Sequence, residues 1–184
     1  MPSALRAPAR LTAGVRPLMN PISAALTLWQ AGLASSAAIV DWADSEIVRI
    51  ESPPQELIDL SLVGPERSLK QPERDFSARP LSLTYEEELG LRAMFLDPSS
   101  SAELSVFVDW ASKECIGLDV TSEVVQFGYH LDHQISDCED RSGAMSLARE
   151  RLPSLRTSCC EMAERIVLSV PRLQMIKEAR YDTL

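Results

Sequence analysis

The sequence predicts an all-α domain of about seven or eight short-to-medium helices, and three observations carry that prediction. Leu, Ala, Glu, Arg and Ser dominate, while 184 residues hold only 7 glycines and 4 phenylalanines, a balance that suits helices rather than a turn-rich, aromatic-rich sandwich. A Ser or Thr stands three residues before Gln or Glu at Ser52/Gln55, Thr84/Glu87 and Ser100/Glu103, which is the spacing of a helix-opening capping box. Finally, Ile39-Val40-Asp41-Trp42-Ala43 returns 68 positions later as Phe107-Val108-Asp109-Trp110-Ala111, and Glu46 then matches Glu114. Two of the three tryptophans, Trp42 and Trp110, anchor this echo, so it suggests a duplicated helical unit.

Taken in order, residues 1–20 are rich in Ala, Pro and Arg without apolar periodicity and are expected to form a disordered arm. Residues 21–184 are expected to form one domain. Helices are predicted over 22–31, ended by Gly32, and over 37–50, ended by Pro53 and Pro54. Those prolines also open the next helix, over 53–62, with Pro at its first position. Residues 63–80 contain Pro65, Pro72 and Pro80 and read as a linker between two repeat units, 21–62 and 81–138.

In the second unit, helices are expected at 84–96, stopped by Asp97-Pro98, and at 100–116, stopped by Gly117. A helix over 122–138 follows. The C-terminal region, 142–184, is expected to hold helices over 143–151 and 155–169, separated by Pro153, with a short tail helix after Pro171.

The charge is uneven. The chain carries −9, and residues 1–40 hold three arginines and no acid, which leaves −12 on residues 41–184. Such a body repels nucleic acid and anionic membrane and favours a basic protein partner or cations. From Pro17 to Val40 there is no charge, and this stretch imitates a targeting segment. Gln30, Gly32, Ser35 and Ser36 interrupt it, however, and the matching region of the second unit carries Glu86, Glu87, Glu88 and Arg92, so a helix in water is expected. The four cysteines show no metal-finger or C-x-x-C spacing, which points to reduced thiols and a cytoplasmic location.

Two constellations bear on chemistry. At 100° per residue, Glu46 falls inside the apolar face that Ile39, Trp42 and Ala43 define, and Glu114 falls in the same way among Phe107, Trp110 and Ala111. A carboxylate there must find a donor or protonate. If the two units pack about a pseudo-twofold axis, Glu46 and Glu114 approach each other as a cation-binding or acid–base pair. The ordinary alternative is that each snorkels or accepts a local donor. His130, His133 and Asp137 have metal-compatible i, i+3, i+7 spacing. They lie opposite the apolar stripe of Val124, Phe127, Leu131 and Ile135, where a solvated polar face is expected.

Phosphate-loop, dinucleotide-binding, nucleophile-elbow and H-E-x-x-H motifs are absent from the sequence, and no cofactor is implied. The leading expectation is an acidic helical interaction protein, such as an inhibitor or immunity-type protein that neutralises a basic partner. The alternatives are an enzyme built on Glu46 and Glu114, or a helical scaffold that oligomerises through its repeats.

Overall fold

A computed structural model describes residues 19–175, and these are all-helical, with no strand among them. Of the expected arm, residues 1–20, only Met19 and Asn20 are described, and Asn20 caps the first helix; residues 172–175 after Pro171 are not helical, and the rest of the expected tail helix lies outside the described residues.

Helix α1 spans Pro21–Gln30. Asn20 caps it by accepting from Ile22 N at 2.9 Å, and Pro21 occupies the first turn, where its missing N–H costs nothing. Six of its ten residues are buried, which accounts for its lack of charge: it is a core helix. Helix α2, Ser36–Ile47, begins at Ser35, whose hydroxyl accepts from Ala38 N at 3.0 Å.

Helix α3, Gln55–Leu69, departs from expectation at both ends. Pro54 is its N-cap and makes no side-chain cap bond. Gln55 is the first helical residue rather than the third, so it cannot reach back to Ser52, and it bonds Asp59 at 2.8 Å instead. Beyond residue 62 the helix continues. Gly64 breaks it with φ 77°, and Pro65 then starts a second helical segment, the one place in a helix where proline is neutral.

Residues 70–84 are a fitted strap. Phe76 within it is wholly buried, and Glu56 of α3 accepts from Ser77 N at 2.8 Å and Ala78 N at 3.1 Å. Farther along, Leu81 N donates to Thr27 Oγ1 of α1 at 2.8 Å.

Helix α4, Tyr85–Phe95, opens with a complete capping box between Thr84 and Glu87. Helix α5, Ser101–Glu114, has half of one: Ser100 caps Glu103 N, while the Glu103 carboxylate takes Asp97 N at 2.9 Å. Helix α6, Glu123–Asp132, passes into a π-helical turn, His133–Asp137.

Helix α7, Arg141–Ser158, runs straight through Pro153. This corrects the expected break there. Pro153 is exposed, so the carbonyl left without a partner can meet water. The break falls at Cys159 (φ −113°, ψ 13°), before α8, Cys160–Ser169. At this joint α4 packs closely: a Cβ on Gly90 of α4 would stand 2.1 Å from the Cys159 carbonyl oxygen.

Two apolar clusters result. One joins α1, α2, α3, Phe76 of the strap and α8. The other joins α4, α5, α6 and α7. Helix α4 serves both, with Leu91 in the first and Leu89, Ala93 and Leu96 in the second. Three arginines of α7 fasten it to the second cluster. Arg141 bonds Ser105 and Asp109, Arg149 donates to the Pro98 carbonyl, and Arg156 donates to the Ala93 and Leu96 carbonyls at the end of α4. A cation at that end also complements the helix dipole. Asp109 of α5 is therefore bridged to α7.

Candidate functional site

The tryptophan–glutamate pairs of α2 and α5 meet different surroundings. Trp42 is 4% exposed, and its indole N–H is buried without a hydrogen-bond partner. Glu46, one turn on, is bound by Arg49 at 3.1 Å and by Arg172 at 3.4 Å. Both residues line a mainly apolar cleft of about 440 Å³ between α1, the end of α2, the start of α3 and Pro171. Trp110 is half-buried and stacks on Tyr85, centroids 5.6 Å apart, with the Arg92 guanidinium 4.4 Å over its ring. Glu88 holds that guanidinium at 2.7 Å. Burial pushes the Tyr85 phenol upward, and its hydroxyl donates to the Ala111 carbonyl at 3.0 Å.

Glu114 is exposed and lines a second cleft with Thr27, Gln30, Ser82 and Glu88. Glu46 and Glu114 thus face different clefts, and the structure does not bring them together. The tight fit of Gly128 explains part of this second environment. A Cβ there would stand 2.4 Å from the Tyr85 hydroxyl oxygen and 2.6 Å from Cys115 Cβ, so α6 approaches α5 closely.

The histidines also part company. His133 Nδ1 lies 2.7 Å from Asp137 Oδ2, while His130 lines a separate cleft between α6 and α7 with Phe127, Leu147 and Arg151. Among the described residues no group of three or more His, Cys, Asp or Glu side chains is placed to hold a metal ion. Sequence reasoning missed a third member: Cys138 Sγ lies 3.6 Å from His133 Nε2. The π turn is what makes this possible, because its wider coil brings residues five apart onto one side. The next residue, Glu139, has φ 52°, an uncommon value for a side chain larger than glycine.

The most extensive feature is a charged one. Between Arg92 and Arg141 the chain holds ten carboxylates and a single cation, Lys113. Counting acids over the whole chain conceals this; counting them in windows would have found it. The stretch comprises α5, α6 and the π turn. The loop between α5 and α6 exposes three aliphatic side chains, Ile116 at 62%, Leu118 at 39% and Val120 at 51%. The 68-residue offset pairs Ile116 and Leu118 with Val48 at 87% and Ile50 at 41%, so both chain segments that follow the tryptophan helices present aliphatics to solvent.

No family model, curated protein or solved structure matches the chain. Among the described residues no helix is long and apolar enough to cross a membrane.

Proposed function

We propose that the protein is an acidic helical interaction protein that captures a basic protein partner on the face formed by α5, α6 and the loop between them. The observation that carries this reading is the ten-to-one excess of carboxylates over cations along the chain between Arg92 and Arg141, with exposed Glu114, Asp119 and Glu123 next to the exposed Ile116, Leu118 and Val120 in sequence. Concentrated charge of one sign accelerates encounter with an oppositely charged surface. Aliphatic groups inside such a rim supply the contact that is dehydrated on binding.

An inhibitor or immunity-type role is the concrete form, because covering a basic surface removes that surface from its own substrates. Glu114, Asp119 and Glu123 flank the aliphatic loop and are all exposed. The carboxylate-pair enzyme loses its motive, since Glu46 and Glu114 face different clefts.

The experiment is to recover the partner by tagging the protein in its own cells, identify it by mass, and measure association by stopped flow across a range of salt. The expected result is a rate that falls steeply with salt. Neutralising Glu114, Asp119 and Glu123 together should slow association about tenfold at low salt. Replacing Ile116 and Leu118 by Ser should chiefly speed dissociation. A partner without net positive charge, or a rate indifferent to salt, overturns the reading.

A further inference from the structure

We propose that His133 Nε2 and Cys138 Sγ, set side by side by the π turn after α6, bind a soft monovalent cation, copper(I), as a two-coordinate pair. The proposal goes beyond the interaction surface above, uses none of the residues tested there, and stands or falls separately.

The backbone builds the site. In an α-helix, side chains five residues apart point away from each other, whereas the π turn over His133–Asp137 brings such positions onto one side. Cys138 N donates to the His133 carbonyl at 3.1 Å, the bond that closes this wider coil. Cys138 Sγ then stands 3.6 Å from His133 Nε2. The other ring nitrogen, Nδ1, lies 2.7 Å from Asp137 Oδ2. A carboxylate accepts, so in the neutral ring Nδ1 carries the hydrogen and Nε2 offers its lone pair on the sulfur side. A carboxylate behind the far nitrogen is the usual support of a metal-ligating imidazole, because it fixes the ring and raises the basicity of the free nitrogen.

The donor pair selects the cation. A thiolate suits copper(I), and imidazole suits copper as well. The carboxylates that a hard cation would need are engaged. Asp137 faces His133, Asp132 accepts from the Ser136 hydroxyl at 2.8 Å, and Asp140 accepts from Gly143 N at 2.8 Å. Zinc asks for four ligands and calcium for six or more, and among the described residues no three such groups gather. A filled-shell monovalent ion is stable with two.

The geometry fits. With metal–nitrogen and metal–sulfur bonds of about 2.0 and 2.3 Å, the values at zinc, one ion joins atoms up to about 4.3 Å apart. The observed 3.6 Å lies within that reach and corresponds to a bent bridge. Cys138 is exposed, so an ion has access to it. No lysine or arginine lies between Lys113 and Arg141 in the chain to repel one. On binding, the thiol releases its proton to solvent as the copper–sulfur bond forms, and no electron is transferred.

The test adds one equivalent of copper(I), kept reduced by ascorbate under nitrogen, to the full chain. The histidine ring nitrogens are followed by ¹⁵N-correlated NMR. The expected result is that His133 Nε2 moves while the ring of His130, the other histidine in the chain, stays in place. Zinc(II) at the same concentration should move neither ring. Cys138→Ser should abolish the movement. In competition with bicinchoninate, His133→Asn should weaken copper(I) binding about tenfold or more. Both substituted side chains are exposed, and circular dichroism checks that the variants stay helical. Copper(I) taken up by Cys159 or Cys160 instead would leave the His133 ring unmoved. That result, a movement that survives Cys138→Ser, an affinity unchanged in His133→Asn, or an equal response to zinc(II) overturns the proposal.

Discussion

The Sγ of Cys138 lies 3.6 Å from Nε2 of His133, whose opposite nitrogen lies 2.7 Å from Asp137 Oδ2. The contact sets the Cys138 sulfur beside an imidazole ring that Asp137 holds in place. Cys138 is exposed, Cys115 is buried and Cys159 and Cys160 are intermediate. Iodoacetamide should therefore label Cys138 first, as read by peptide mass. His133→Asn should change that labelling rate, because it removes the ring that lies against the sulfur. Asp132, Asp137, Glu139 and Asp140 lie close to Cys138 along the chain and repel an anionic reagent. A cationic disulfide such as cystamine should accordingly react faster than an anionic aromatic disulfide. If His133→Asn leaves the labelling rate unchanged, the contact has no chemical consequence.

Glu56 ties the strap to α3, and its pH behaviour has a definite sign. The Ser77 hydroxyl and the Ser77 and Ala78 N–H groups donate to its charged form and hold the carboxyl below the ordinary glutamate value. The folded-state value being the lower one, the stability Glu56 contributes is fully present above the unfolded-state value. It is lost as pH falls through the folded-state value. Glu56→Ala should cost about 1–2 kcal/mol near neutrality, for the donors it leaves without a partner. Urea unfolding of both proteins from about pH 7 down to about pH 3 should show the gap narrowing toward acid. A gap of constant size would mean the anchor is not electrostatic.

Gly90 should resist any side chain. With the Cys159 carbonyl oxygen 2.1 Å from where a Cβ would stand, Gly90→Ala must push α4 and the α7–α8 joint apart. Thermal unfolding should report a loss of about 1–3 kcal/mol, the range for overpacking, despite the better helix propensity of alanine. An unchanged or raised melting temperature would show that the joint yields.

Arg156 closes the end of α4 with donors to Ala93 O at 2.8 Å and Leu96 O at 2.6 Å. Arg156→Met keeps much of the apolar stem and removes both donors, so it should cost about 1–3 kcal/mol. Backbone amide exchange should quicken first in the last turn of α4. Equal protection in the two proteins would count against a capping role.

Much of the helical layout was legible in the sequence because its determinants are local. Asn20, Ser35, Thr84, Ser100 and Ser122 cap helices through bonds that span two or three residues, and Gly32 and Gly117 adopt the positive φ that ends them. What could not be read depends on distant neighbours. Phe76, in a proline-marked stretch without periodicity, is buried by elements on either side of it in the chain. Pro153 sits within a continuous helix at an exposed position, and the helix breaks instead at Cys159, where Gly90 packs close by. The pairing of Cys138 with His133 needed a π turn, which has no clear residue signature.

The position of α4 between both apolar clusters bears on what a protease could do to this chain. A single cut in the strap leaves the two fragments holding opposite sides of one shared wall, since Leu91 completes the core of the part that comes before it. The N-terminal fragment would carry α1, α2 and α3 with an open core, bereft of Leu91, Ala163 and Ile166. Nicked protein should therefore migrate as one particle until denaturant separates it, and neither fragment should keep its helical content alone.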